Sequence, residues 1–176
     1  MYLADIKETF VDFPDNHSLA VIVFFEGCTH NCKGCQNPLL QTTSIKDYYS
    51  KDDVVKKIDT YCKRCNTDKI VLSGGDPYFN KHECMYVVDK LINLNYEVCV
   101  YTGYTVDKVE EFYEHYDYKK PTYLKCGGYI EDLTVNDSGK TEEKLTLISS
   151  NQRFYKTVDN KFKIISEANV LYFQGK

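Results

Sequence analysis

The sequence predicts an α/β fold in a single domain, with a mostly parallel sheet arranged as a partial (βα) barrel. Three observations lead there. Apolar runs of strand length alternate with stretches of helical period between residues 19 and 126. The first run, Leu19–Phe25, is continuously apolar, as expected of a parallel strand covered on both faces. A chain of 176 residues matches one domain with a full core, yet it holds too few βα units to close an eight-stranded barrel.

Each element has its own signal. Phe10–Asp15 reads as a turn-like segment with room for a short strand before Pro14. Leu19–Phe25 is the first buried strand. Ser50-Lys-Asp-Asp53 opens a helix, because Ser50 can cap it and acidic residues suit its positive first turn. Val54, Val55 and Ile58 supply the apolar stripe, and the helix ends near Cys65-Asn66. Lys69–Leu72 is the next strand, followed by Ser73-Gly-Gly-Asp-Pro77. Asn80 begins a second helix whose buried face is Met85, Val87, Val88, Leu91 and Ile92. Tyr96–Tyr101 is a third strand ending at Thr102-Gly-Tyr104, and Thr105 starts a helix running to about His115. Pro121–Cys126 is a fourth strand closed by Gly127-Gly128. Asn136–Lys140 reads as a turn, Leu145–Ser149 as one more short strand, and Asn160 as a turn before Phe162–Ile165. Such βαβ alternation with right-handed crossovers implies the parallel sheet.

Composition narrows the function classes. Apolar residues make up 43% and charged residues 27%, ordinary for a globular domain and unlike a disordered one. A net charge of −4 leaves no basic footprint for nucleic acid. No apolar run reaches the length of a membrane span, and Met1–Lys7 does not read as a signal peptide, so a cytoplasmic setting is expected. In that setting the eight cysteines are reduced thiols and not a disulfide framework.

Three of those thiols, Cys28, Cys32 and Cys35, fall within eight residues directly after the first strand. Thiolate is a soft ligand that selects zinc, copper(I) or iron–sulfur iron. A zinc knuckle would need a second cysteine pair to close its tetrahedron, and the loop has no fourth cysteine. Three ligands at C-x3-C-x2-C instead suit a cubane cluster with one iron left open. Gly27 and Gly34 allow the chain to curl around such a group.

The stretch Gly27-Cys-x3-Cys-x-Gly-Cys-x-Asn37 resembles the signature of the radical S-adenosylmethionine enzymes. Within them it most resembles the small activating proteins of anaerobic ribonucleoside-triphosphate reductase. The resemblance runs from about Val11 to Arg153, so residues 1–176 read as one radical S-adenosylmethionine domain with a core near 11–153 and a tail at 154–176. It implies a 4Fe-4S cluster on Cys28, Cys32 and Cys35 whose open iron is chelated by the methionine part of S-adenosyl-L-methionine. It further implies one-electron cleavage of the sulfonium to a 5′-deoxyadenosyl radical, a step that draws on the low end of iron–sulfur potentials, roughly −700 mV.

The same resemblance gives other residues provisional roles. Gly74, Gly75 and Asp76 correspond to the glycine-rich motif that contacts the amino group of S-adenosylmethionine, with backbone carbonyls as acceptors. Taken alone, Ser73–Pro77 would be an ordinary tight turn. Gly34 and Gln36 correspond to positions on the adenine side. Thr102, in Thr102-Gly-Tyr104, stands at the same rim, where a plain strand-to-helix turn would look the same. Ser150-Asn-Gln-Arg153 resembles a motif near the end of these activating proteins, and both a surface turn and a partner contact stay open for it. In Lys125-Cys-Gly-Gly-Tyr129, Cys126 departs from the aspartate or threonine that the family often shows before Gly127.

Other groups read as bland. Cys62 and Cys65 form a C-x2-C, but they fall near a helix C-terminus, where the dipole does not favour a thiolate. Cys84 and Cys99 sit in core patterns. His17, His30, His82 and His115 show no ligand spacing, and His30 is expected to fill or hydrogen-bond within its loop. Leu171–Gly175 looks like part of a protease-cleavage tag, although Asn169 stands where such a site needs glutamate, so the tail is taken as native.

The function implied is a glycyl-radical activating enzyme. Its partners would be the large subunit of an anaerobic ribonucleotide reductase and an external low-potential electron donor of flavodoxin type. Two alternatives stand beside it. One is another radical S-adenosylmethionine enzyme, either a formate-lyase activator or a 7-carboxy-7-deazaguanine synthase-like enzyme of small substrates. The other is a non-catalytic metal or electron-transfer protein, which would need a fourth cysteine near the first three.

Overall fold

Sheet order follows chain order in the computed structural model, which describes residues 1–15, 18–134 and 149–166. The seven strands are β1 (Leu3–Thr9), β2 (Ala20–Phe25), β3 (Lys69–Gly74), β4 (Glu97–Thr102), β5 (Tyr123–Cys126), β6 (Arg153–Val158) and β7 (Lys161–Ser166). Strands β2 to β5 pair in parallel, while β1, β6 and β7 add antiparallel edges. Three helices join the parallel strands: α1 (Lys51–Cys65), α2 (Lys81–Asn93) and α3 (Val106–Tyr113). The sheet is largely parallel and open, since no pairing joins β1 to β7 among the described residues. No helix among those residues is long and apolar enough to cross a membrane.

Sequential order has a consequence for function. When neighbouring parallel strands are joined by crossovers of one hand, each helix returns over the same face. The core divides accordingly. Val23, Leu72, Val100 and Leu124 form one row that packs with Ile58, Val88 and Val109 of the three helices. Residues one step along each strand point to the opposite face, where Ala20, Ile22, Val71, Cys99 and Phe154 pack under Phe13. That second face carries no helix among the described residues, and it opens near the C-terminal ends of β2 to β5.

Local chemistry explains the helix ends. The Ser50 hydroxyl accepts the Asp53 N–H at 3.1 Å, and Asn66 closes α1 in the left-handed conformation at φ 54°. Val54, Ile58 and Cys62 recur every four residues and are wholly buried. Thr105 caps α3 in the same way as Ser50 caps α1.

The edges differ from expectation. The N-terminal strand is Leu3–Thr9, whereas Phe10–Asp15 is a run of bends and turns. An edge strand needs few apolar residues, and in Leu-Ala-Asp-Ile-Lys-Glu-Thr only Leu3 and Thr9 are buried, so periodicity does not announce it. Beyond residue 153, β6 and β7 form a hairpin through Asp159-Asn160, both left-handed at φ 51° and 58°. The sheet thus reaches past residues 11–153 at both ends. Asn136–Lys140, Leu145–Ile148, His17 and the tag-like tail lie outside the described residues.

Candidate functional site

The loop after β2 is built as a curl. Gly27, Asn31 and Gly34 are left-handed at φ 97°, 50° and 68°. At Gly27 a Cβ would stand 2.3 Å from the Phe79 ring, so glycine is required there for packing as well as for conformation. The curl is pinned at both ends. Gly27 N–H donates to Leu40 O at 2.8 Å, Cys28 N–H to Gln41 O at 3.1 Å, and Cys35 N–H to Cys32 O at 3.2 Å. Cys28, Cys32 and Cys35 are all partly exposed and all line one cleft.

The opposite wall comes from the loops after β3, β4 and β5. Ser73, Gly74 and Gly75 line the cleft with Tyr101, Thr102, Gly103, Lys125 and Gly127. Gly74, at φ 114°, presses on β2 so tightly that a Cβ would lie 2.3 Å from Phe25 O. Gly75 N–H donates to that same carbonyl at 2.8 Å, and a Cβ there would meet Gly27 O and Leu40 O at 2.5 Å. Asn37 donates its side-chain amide to Gly74 O at 3.1 Å. The glycine loop and the cysteine loop are therefore in backbone contact.

Asp76 is buried beneath this junction, 2% exposed. Its Oδ1 accepts Tyr78 N–H at 2.9 Å, and its Oδ2 accepts Gly103 N–H at 2.9 Å, the Thr102 hydroxyl at 2.8 Å and His30 Nε2 at 2.7 Å. The hydrogen bond to Asp76 raises the pKa of His30 against the opposing effect of its own burial. Burial is also the main cause of the raised pKa of Cys28, partly offset by a hydrogen bond from the His30 backbone.

Sequence reasoning placed Gln36, Gly74, Gly75, Thr102 and the three thiols, and all of them line the cleft. Gly34 lies at the loop's outer turn, where a Cβ would strike the Glu131 carboxylate, itself paired with Lys33 at 2.8 Å. The Ser150–Arg153 motif folds inward. Asn151 donates to Gly128 O at 2.8 Å and Gln152 to Gly127 O at 3.1 Å, so the motif buttresses the loop after β5.

Lys125 was missed as a cleft residue. It is 2% exposed beneath Tyr101, its Nζ 4.4 Å from that ring's centroid, and burial lowers its pKa to about 8. A lysine inside an apolar strand was the visible signal for it.

The other thiols stand apart. Cys62 is pushed up to about 12 by burial, and Cys84, Cys99 and Cys126 are raised by burial as well. Cys65 donates to Glu8 at 3.2 Å on the far side of α1. No fourth cysteine lines the cleft among the described residues, which removes the feature a closed electron carrier would need.

No group of three His, Cys, Asp or Glu converges around a single-ion point among the described residues. That spacing does not disfavour a cubane, in which each thiolate binds a different iron and the sulfurs stand further apart. A donor set of three partly exposed thiols on one curled loop fits such a cluster.

Comparison with known proteins places an iron–sulfur family over this region. A family model described as a 4Fe-4S single cluster domain matches residues 18–155. The chain is also similar to the anaerobic ribonucleoside-triphosphate reductase-activating protein of Enterobacteria phage T4. The two are 26% identical over 156 residues, covering 86% of this chain and 93% of the phage protein. No solved structure matches.

Proposed function

The chain belongs to the 4Fe-4S single cluster domain family, and on that premise we propose that it is a glycyl-radical activating enzyme for an anaerobic ribonucleoside-triphosphate reductase. The observation that carries this reading is the meeting of the cysteine loop and the Gly74-Gly75 loop on one cleft. Cys28, Cys32 and Cys35 would hold the cluster, beside which S-adenosylmethionine would bind. When bound, these groups supply a single electron to a sulfonium and thereby the means to abstract hydrogen from a glycine.

The chain's own residues bind and orient. Gly74 and Gly75 would present bare backbone to the amino group of S-adenosylmethionine, and Gln36, beside Cys35 in the cleft, would stand on its adenine side. Asp76 and Thr102 serve the site by holding its loops together, since their side chains bond to each other. No general acid or base is required, because positioning supplies the rate.

The likeness to a phage protein named as an anaerobic ribonucleoside-triphosphate reductase-activating protein supports a glycine-bearing loop of a reductase large subunit as the substrate. The electron comes from an external low-potential donor of flavodoxin type.

The test is anaerobic reconstitution with iron and sulfide, followed by reductant, S-adenosylmethionine and the reductase large subunit. A glycyl-radical signal in the EPR spectrum of the large subunit is expected. Its absence with an authentic partner would overturn the activating role.

A further inference from the structure

Four protein donors converge on the Asp76 carboxylate: Tyr78 N–H, Gly103 N–H, the Thr102 hydroxyl and His30 Nε2. An ionised carboxylate offers about four acceptor sites, so this side chain is committed within the protein. It also fixes the tautomer, because an acceptor-only partner requires the proton on His30 Nε2. His30 lies between two of the cluster thiols in sequence, and its ring packs edge-on against Tyr104 at 4.6 Å. The side chain thus fastens the cysteine loop to the buried carboxylate.

We infer that His30 and Asp76 form a positioning strut that locks the cysteine loop to the loops after β3 and β4. The inference rests on the proposed cluster at Cys28, Cys32 and Cys35. It assigns His30 no contact with substrate and no proton transfer. Without the strut, the curl between Gly27 and Cys32 keeps its backbone bonds to Leu40, Gln41 and Asp76 but loses the side-chain tie from its middle to Asp76. Solvent exposure is among the features that set the potential of such centres. By holding the partly exposed cysteine loop in place, the strut acts on cluster retention and on redox poise.

Gly103 gives an independent handle. A Cβ at Gly103 would stand 2.5 Å from His30 Cδ2 and 2.7 Å from Nε2, so Gly103→Ala pushes the ring off Asp76. Gly103→Ala and His30→Ala then remove the same contact and should not add.

The experiment loads the full chain with iron and sulfide under anaerobic conditions, then follows iron loss to a ferrous chelator. Thermal unfolding of the cluster-free chain and the potential of the loaded cluster are measured in parallel. A hydrogen bond to a charged group is worth enough to change such a rate about tenfold. His30→Ala and Gly103→Ala are each expected to release iron about tenfold faster and to shift the potential. The double variant should be no faster than either alone, and cluster-free thermal unfolding should shift down by a similar amount in all three variants, since each takes the same donor from Asp76. His30→Gln, which keeps an N–H near the Nε2 position, should restore retention to within about twofold.

Equal retention by His30→Ala and wild type would overturn the strut alone, as would failure of His30→Gln to rescue. A wild-type chain that takes up no iron would overturn the cluster reading itself, and the strut with it.

Discussion

Lys125 is a buried cation on the wall of the cleft, and its removal should stabilise the chain. Lys125→Met keeps an unbranched stem under Tyr101 while deleting the charge. In the folded chain the group titrates near 8, against an ordinary value of 10.5. One pKa unit is worth about 1.4 kcal/mol, so holding this ammonium at pH 7 costs about 3 kcal/mol. The unfolded chain keeps the proton up to about pH 10.5 while the folded chain releases it near 8, so wild-type stability rises with pH across that window. The cost falls to about 2 kcal/mol at pH 9. Urea unfolding of the cluster-free protein at pH 7 and pH 9 measures both values. Lys125→Met should exceed wild type by about 3 kcal/mol at pH 7 and by about 2 kcal/mol at pH 9. A variant less stable than wild type at pH 7, or a gap that fails to narrow, would refute the reasoning.

Three further outcomes follow from packing and capping. Gly74→Ala forces a side chain into a left-handed position 2.3 Å from Phe25 O, so chemical denaturation should show a loss of about 3 kcal/mol or more. Ser50→Ala removes the α1 cap and should cost about 1 kcal/mol in the same assay. Cys126 is buried with Tyr78 and Leu124 on the helix side, so Cys126→Ala should retain full iron and sulfide after reconstitution; loss of iron would place that thiol at the centre.

What could be read from the chain alone follows from how local each signal is. The C-x3-C-x2-C spacing and the double glycine after β3 are contiguous, and the buried parallel strands are apolar along their whole length. Their order along the rim therefore followed from alternation. The edges were harder, because β1 keeps Asp5, Lys7 and Glu8 exposed or nearly so and owes its place to pairing with β2. The Asp76 bracket was out of reach for another reason. His30 and Asp76 are 46 residues apart, and only the parallel register of β2 with β3 brings their loops together. Lys125 was visible as a charge in a strand. Which face it took depended on register with Tyr101 and Phe154, and that no local pattern states.

The central claim is that Cys28, Cys32 and Cys35 hold a cluster that cleaves S-adenosylmethionine in this cleft. The most direct measurement is the yield of 5′-deoxyadenosine and methionine from S-adenosylmethionine after anaerobic reconstitution and reduction, in wild type and in Cys32→Ala. Wild type should form both products in equal amounts, and Cys32→Ala should form neither. Cleavage that survives in Cys32→Ala, or none in a wild-type chain carrying a full cluster, would contradict it.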